Sequence, residues 1–194
     1  MNPRLRYGLF GLACLAQIAV PASLIVKHEQ TRTQGTLWKF QTAPVDPNDP
    51  FRGRYVRLSF AAERDHVPFA DSGMIYLRYG TRLYAELETG ADGFARLTRL
   101  HLRRPARGEY LDVFMRQMQS PKREKGEAEK PGAPAAQVRL PFDRYYLPED
   151  RAPQVEREYF DASRSARANT YAEVRVREGH AALTALVLDG KPVN

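Results

Sequence analysis

The hydrophobic pattern of this chain changes character at Lys27. Before it, Tyr7–Val26 runs twenty residues without a charge, close to the length that crosses a ~30 Å hydrocarbon layer as a helix. After it, apolar residues alternate with polar ones. In Val45–Phe60 (VDPNDPFRGRYVRLSF), Val56, Leu58 and Phe60 fall on one face and Tyr55, Arg57 and Ser59 on the other. That period of two marks a strand with one buried face. Asp46-Pro47 and Asp49-Pro50 set a turn before it, and Gly53 allows a sharp bend into it. Met74–Tyr79 alternates as a further strand. Pro148-Glu149-Asp150 opens a short helix that places Ala152, Val155 and Tyr159 on one stripe.

Two distant stretches share a pattern. Tyr84–Leu102 (YAELETGADGFARLTRLHL) and Tyr171–Leu188 (YAEVRVREGHAALTALVL) both begin Tyr-Ala-Glu and close with Leu-Thr-x-Leu-x-Leu. Each reads as a β-hairpin, the first turning at Thr89–Gly93 and the second at Glu178-Gly179. Arg54-Tyr55 recurs 90 residues later as Arg144-Tyr145, and the Tyr-Ala-Glu triplets lie 87 apart. The expectation is two tandem copies of one antiparallel β unit, about Asp46–Pro105 and Val138–Pro192, since so long a period points to a duplicated small domain. Ser120–Ala136 between them has no large apolar residue and mixes charges with Pro and Gly, so it is expected as a disordered loop.

The expected fold class is therefore an N-terminal transmembrane helix followed by a β-dominated α+β domain, with a short helix in the second unit. The expected organisation is a cytoplasmic tail (1–6), an anchor (7–26), a linker (27–45), a first unit (46–119), the loop (120–136) and a second unit (137–194). Arg4 and Arg6 before the apolar run place the N-terminus in the cytoplasm and the domain outside it. A signal peptide cleaved near Val20-Pro21-Ala22 is the competing reading, and the apolar Leu24, Ile25 and Val26 directly after it favour the anchor.

Composition adds limits. The net charge is +7, and removing Arg4, Arg6 and Lys27 leaves 7 − 3 = +4 for the rest, modest for a protein that lives on nucleic acid. The single cysteine, Cys14, excludes an intrachain disulfide and a thiolate metal cluster. The four histidines share no ligand spacing, and His101, alternating with Leu100 and Leu102, is expected to face solvent. No cofactor or metal is expected. Asp46 and Asp49 could pair as carboxylates, but each precedes a proline and is read as a turn residue. Arg52, Arg54, Arg57 and Arg144, flanked by Tyr55, Tyr145 and Tyr146, could form an anion-binding patch. The plainer alternative is a solvated face with arginine stems lying on tyrosines. Glu149 is expected at a helix N-terminus, where the dipole favours it.

With these pieces in place the chain resembles the bacterial GDYxxLxY family of membrane-anchored proteins. The likeness rests on VDPNDPFRGRYVRLSF, on FDRYYLPED and on AEVRVREGHAALTALVLDGKPV. Gly53, Tyr55 and Leu58 match the signature, whereas Arg54 replaces its Asp and Phe60 its Tyr. The resemblance implies a single-pass inner-membrane protein with a periplasmic domain, no established activity and a polytopic membrane protein as partner. A non-catalytic binding module is the leading expectation, with an anionic envelope component as another ligand. The alternative is an envelope-acting enzyme with a site between the units, tested first at Asp49, Arg54 and Glu149.

Overall fold

A computed structural model describes residues 3–43, 55–70, 77–119, 134–146, 154–155, 157–159 and 170–193. The expected apolar helix is present and longer than its apolar run, with α1 spanning Pro3–Gln34. Within it, Tyr7–Gln34 is long and apolar enough to cross a membrane, and none of its most apolar window is buried by the rest of the chain. Pro21 lies inside this helix and has no N–H to donate. Two residues on, the Ser23 hydroxyl donates to the Val20 carbonyl at 2.7 Å. Residues 27–45, expected as a linker, carry the end of α1 and, after Gly35, the strand β1 (Thr36–Ala43). Gly35 is required by space. A Cβ there would run into the Thr31 carbonyl oxygen and press on the Val176 backbone.

The chain then forms β2 (Tyr55–Arg57), β3 (Ser59–Phe60), a 3-10 turn at Ala61–Glu63 and β4 (Val67–Pro68). These are followed by the hairpin β5 (Arg82–Thr89) and β6 (Ala95–His101), then β7 (Tyr110–Gln119), β8 (Ala135–Arg139) and β9 (Arg144–Tyr146). A short helix, α2, is described at 154–155 and 157–159. The chain closes with the hairpin β10 (Tyr171–Arg177) and β11 (His180–Leu188), then β12 (Lys191–Pro192). The alternation expected for 55–60 holds: Val56, Leu58 and Phe60 are buried, while Tyr55, Arg57 and Ser59 retain exposure. Val155 and Tyr159 are buried on the stripe expected of α2.

Among the described residues two isolated bridges are parallel, and the named strands pair antiparallel, in three sheets. The first has the order β12-β11-β10-β1-β3, the second β4-β8-β7-β5-β6, and β2 pairs with β9 in a separate two-stranded ribbon. The second sheet bends round on itself. Phe69, just past β4, donates its N–H to the Pro134 carbonyl at 2.9 Å and bridges to Leu100 of β6, whose carbonyl accepts the Ala70 N–H at 2.9 Å. Closure of this kind removes unpaired edges. One contiguous apolar core joins both sheets, and includes Phe40, Phe60, Leu83, Leu100, Leu111, Val138, Val174 and Leu186.

Several expectations change. The two look-alike hairpins form, but each lies in a different five-stranded sheet. Strands also pair across the expected boundary between units, β2 with β9 and β7 with β8, and β1, in the expected linker, pairs with β3 of the first unit and β10 of the second. The strand pairing therefore does not confirm two tandem units, because β2 and β4 find their hydrogen-bond partners far along the chain. Ala135 and Ala136, expected in the loop, belong to β8, and the rest of that loop up to residue 133 lies outside the described residues. Of the strand expected at Met74–Tyr79, residues 74–76 also lie outside them. Residues 77–79 lead into a turn at Gly80 (φ +80°) rather than a strand. Leu102 is exposed whereas Leu188 is buried, so the closing ends of the hairpins are not equivalent.

Candidate functional site

The ribbon formed by β2 and β9 collects the sequence-selected residues that the structure describes. Its register sets Tyr55 opposite Tyr146, Val56 opposite Tyr145 and Arg57 opposite Arg144. Directly opposed residues share a face. Val56 and Tyr145 therefore point inward, and the two tyrosines and two arginines outward. Val56 is in the core, and Tyr145 packs against it while its hydroxyl donates to the Val193 carbonyl at 3.0 Å. On the outer face the Tyr55 and Tyr146 rings lie 5.7 Å apart. The Arg144 guanidinium sits 5.0 Å from the Tyr55 ring centroid. A hydrogen bond to Tyr146 raises the Arg144 pKa, with smaller contributions from Tyr55 and Asp143. Arginine on tyrosine is thus the observed arrangement, and Tyr146 remains 67% exposed.

Leu58 and Phe60 belong to the interior. The Leu58 N–H donates to the Asp143 carbonyl at 2.8 Å, which ties β2 to the residue before β9. Phe60 has no exposed surface and forms an aromatic triad with Phe40 and Phe142. Centroid separations are 6.1 Å to Phe40 and 5.2 Å to Phe142, both edge-on. Asp46, Asp49, Arg52, Gly53, Arg54 and Glu149 lie outside the described residues.

A second cluster escaped the sequence reading. Asp112, on β7, is buried where the tip of the β10–β11 hairpin meets the second sheet. It is ion-paired with Arg82, which itself remains half exposed. The Asp112 N–H donates to the Gly179 carbonyl at 2.9 Å. Gly179 has φ +83°, and a side chain there would strike the Asp112 carboxylate and the Tyr110 ring. Tyr84 and Tyr110 meet edge-on at 5.9 Å beside it. His180 follows in the same tip, and burial followed by the nearby Lys27 lowers its pKa, with Asp112 opposing. The available signal was an aspartate set between Leu111 and Val113 in the otherwise apolar first part of β7, YLDVFM. Chemically this cluster joins the two sheets: a buried carboxylate is tolerated because a guanidinium reaches it.

His101, expected to face solvent, is half-buried and bonded to Glu86 at 2.8 Å. Opposed strands β5 and β6 bring these side chains together across a bulge, which strand alternation alone does not show. Among the described residues, no three His, Cys, Asp or Glu side chains converge as a metal site would require.

A family model described as GDYXXLXY protein matches residues 17–186, most of the chain. The chain belongs to the GDYXXLXY family. A search of curated proteins and a search of solved structures each found no match. Laid on the family signature, positions Gly53 to Phe60 divide by role. Leu58 and Phe60 are core residues of this GDYXXLXY protein, and Tyr55 stands on the outer face of the ribbon. Phe60, where the signature has Tyr, is surrounded by edge-on rings and needs no hydroxyl.

Proposed function

We propose that this GDYXXLXY protein is a single-pass, membrane-anchored accessory module. Its N-terminus is cytoplasmic, and its β domain lies in the periplasm, where it binds a polytopic inner-membrane protein. The observation that carries this reading is α1. An exposed apolar helix runs without a break into the β domain and is held there, Arg175 donating to the Gly35 carbonyl at 2.9 Å and Arg177 to Gln30 at 3.3 Å. A helix fastened at both its last turn and its following strand suits an anchor that presents the domain at a fixed height. The outer face of the ribbon is the docking surface in this reading. Tyrosine and arginine are the residue types that dominate binding energy at protein interfaces. Here Tyr55, Arg57, Arg144 and Tyr146 stand together on a face supported from behind by the core.

The repeat enters the same reading. With an offset of 90 residues, Tyr55 corresponds to Tyr145 and Val56 to Tyr146. The observed register pairs Tyr55 with Tyr146 and Val56 with Tyr145, the exchange expected about a local two-fold axis. That supports a duplication in which the two entry strands came to pair with each other.

The test is site-specific photocrosslinking from position 146 in native membranes, followed by purification in mild detergent. One defined membrane-protein adduct is expected, lost in the Arg144→Gln/Tyr55→Ala double variant. A chain that runs alone, with no crosslinked partner and no retained envelope ligand, would overturn the proposal.

A further inference from the structure

The end of α1 sets the height of the β domain above the apolar run. Val26 is the last residue of that run, and Arg177 meets Gln30, four residues further on. At 1.5 Å per residue this lies about 6 Å along the axis. The headgroup layer on one side of a bilayer is about 5–8 Å thick, so this level falls inside it. The hairpin tip at Glu178-Gly179 is one residue further toward the apolar run, and Lys27 is close enough to His180 to oppose its protonation.

The loop between β6 and β7 adjoins that tip, with Arg104 near enough to His180 to act on its charge. Its following strand is tied to the tip by the bond from Asp112 to Gly179 at 2.9 Å. Glu109 accepts a hydrogen bond at 3.1 Å from Thr36, ten residues past Val26 and so about 15 Å along the same axis. That puts the root of the loop just above the headgroup layer, with its arginine side chains reaching toward it. This loop reads Leu102-Arg103-Arg104-Pro105-Ala106-Arg107-Gly108. Leu102 and all three arginines are exposed. Arg104 lies over the Tyr110 ring at 5.8 Å, and neither Arg103 nor Arg107 pairs with a carboxylate among the described residues. Lys27 and these arginines bring four exposed cations against two exposed carboxylates, Glu109 and Glu178.

Resting on the anchoring reading above, we propose that the 102–108 loop is a membrane-surface contact that binds anionic phospholipid headgroups through Arg103, Arg104 and Arg107. The occupant follows from charge and height together: an excess of arginine, within side-chain reach of the phosphates, on a loop the core leaves uncovered. The contact fixes the tilt of the β domain and so the direction in which the ribbon faces.

The test is amide hydrogen exchange on the full chain in nanodiscs. One set is pure phosphatidylcholine, and the other contains about a quarter phosphatidylglycerol. Each basic residue near an anionic surface contributes roughly a five-fold preference, so exchange over 102–109 is expected to slow by about ten-fold or more with the anionic lipid. The Arg103→Gln/Arg104→Gln/Arg107→Gln variant loses that slowing, while β10 keeps its protection and so reports an intact fold. Equal exchange in both lipids, or slowing that survives the triple substitution, overturns the loop contact alone. Escape of the chain from both discs overturns the anchoring reading, and this inference with it.

Discussion

Replacing Phe60 tests whether the family signature is a site or a piece of core. Phe60 is fully buried and meets Phe40 and Phe142 edge-on, and those two rings lie 5.2 Å from each other. Phe60→Ala removes a ring from a closed triad, and a buried Phe→Ala change costs about 3–5 kcal/mol. Within that loss, each edge-on ring pair contributes roughly 0.5–1.5 kcal/mol. Against a total stability of about 5–15 kcal/mol for a domain, this is a large share. For a domain of this size, roughly 2–4 °C of melting temperature goes with each kcal/mol, so a fall of about 6–20 °C is expected. The sole tryptophan, Trp38, lies on β1 two residues from Phe40 and packs against the core, so its fluorescence reports the melt of the detergent-solubilised chain. Tyr55→Ala, on the half-exposed outer face, is expected to cost under about 1 kcal/mol. Phe60→Tyr brings in the family residue but buries a hydroxyl among rings, at a cost of about 1–3 kcal/mol. Equal melting shifts for Phe60→Ala and Tyr55→Ala would refute this division of the motif.

Two further predictions concern the seam between the sheets. Gly179→Ala forces a side chain into the Asp112 carboxylate at a positive φ, whereas Gly190→Ala meets only open space at φ +80°. Both incur the left-handed backbone cost of about 1–2 kcal/mol. Only Gly179→Ala adds a clash, so its melt should be clearly the lower of the two by calorimetry. His180 binds a proton less readily in the fold than in the unfolded chain, because of burial and then Lys27. Its contribution to stability is therefore complete above the ordinary histidine value of 6.5 and is lost as pH falls below it toward the depressed folded value. Melting temperature measured from pH 7.5 downward, roughly to pH 5, should fall less steeply for His180→Gln than for the native chain. An unchanged slope would count against it.

How much of this was legible beforehand depends on the range over which each feature is encoded. The helix, the inward positions Val56, Leu58 and Phe60, and the turn at Glu178-Gly179 follow from side-chain alternation and backbone preference within a few residues. They appear as expected, with φ +51° and +83° at the turn. The hairpin at Asp189-Gly190 carried an equally local signal that went unread, an Asp-Gly pair with φ +49° and +80° between β11 and β12. At the candidate site, Tyr55, Arg57, Arg144, Tyr145 and Tyr146 are legible as one patch, but the pairing of Tyr55 with Tyr146 is not. Asp112 with Arg82 was missed because 30 residues separate them.

By itself, then, the sequence determined where the apolar helix lies, which side chains of each strand face inward, and which stretches turn. It also marked two hairpins as alike. Only the tertiary structure decided that those hairpins enter different sheets, that β2 pairs with β9, and that the second sheet closes through Phe69. The physical reason is that alternation specifies the face of a side chain but not the identity of the neighbouring strand. A backbone N–H bonds equally well to any carbonyl in register. The choice among partners is made when the apolar faces find one shared core, and Phe40, Phe60 and Phe142, from three separate segments, meet at that point.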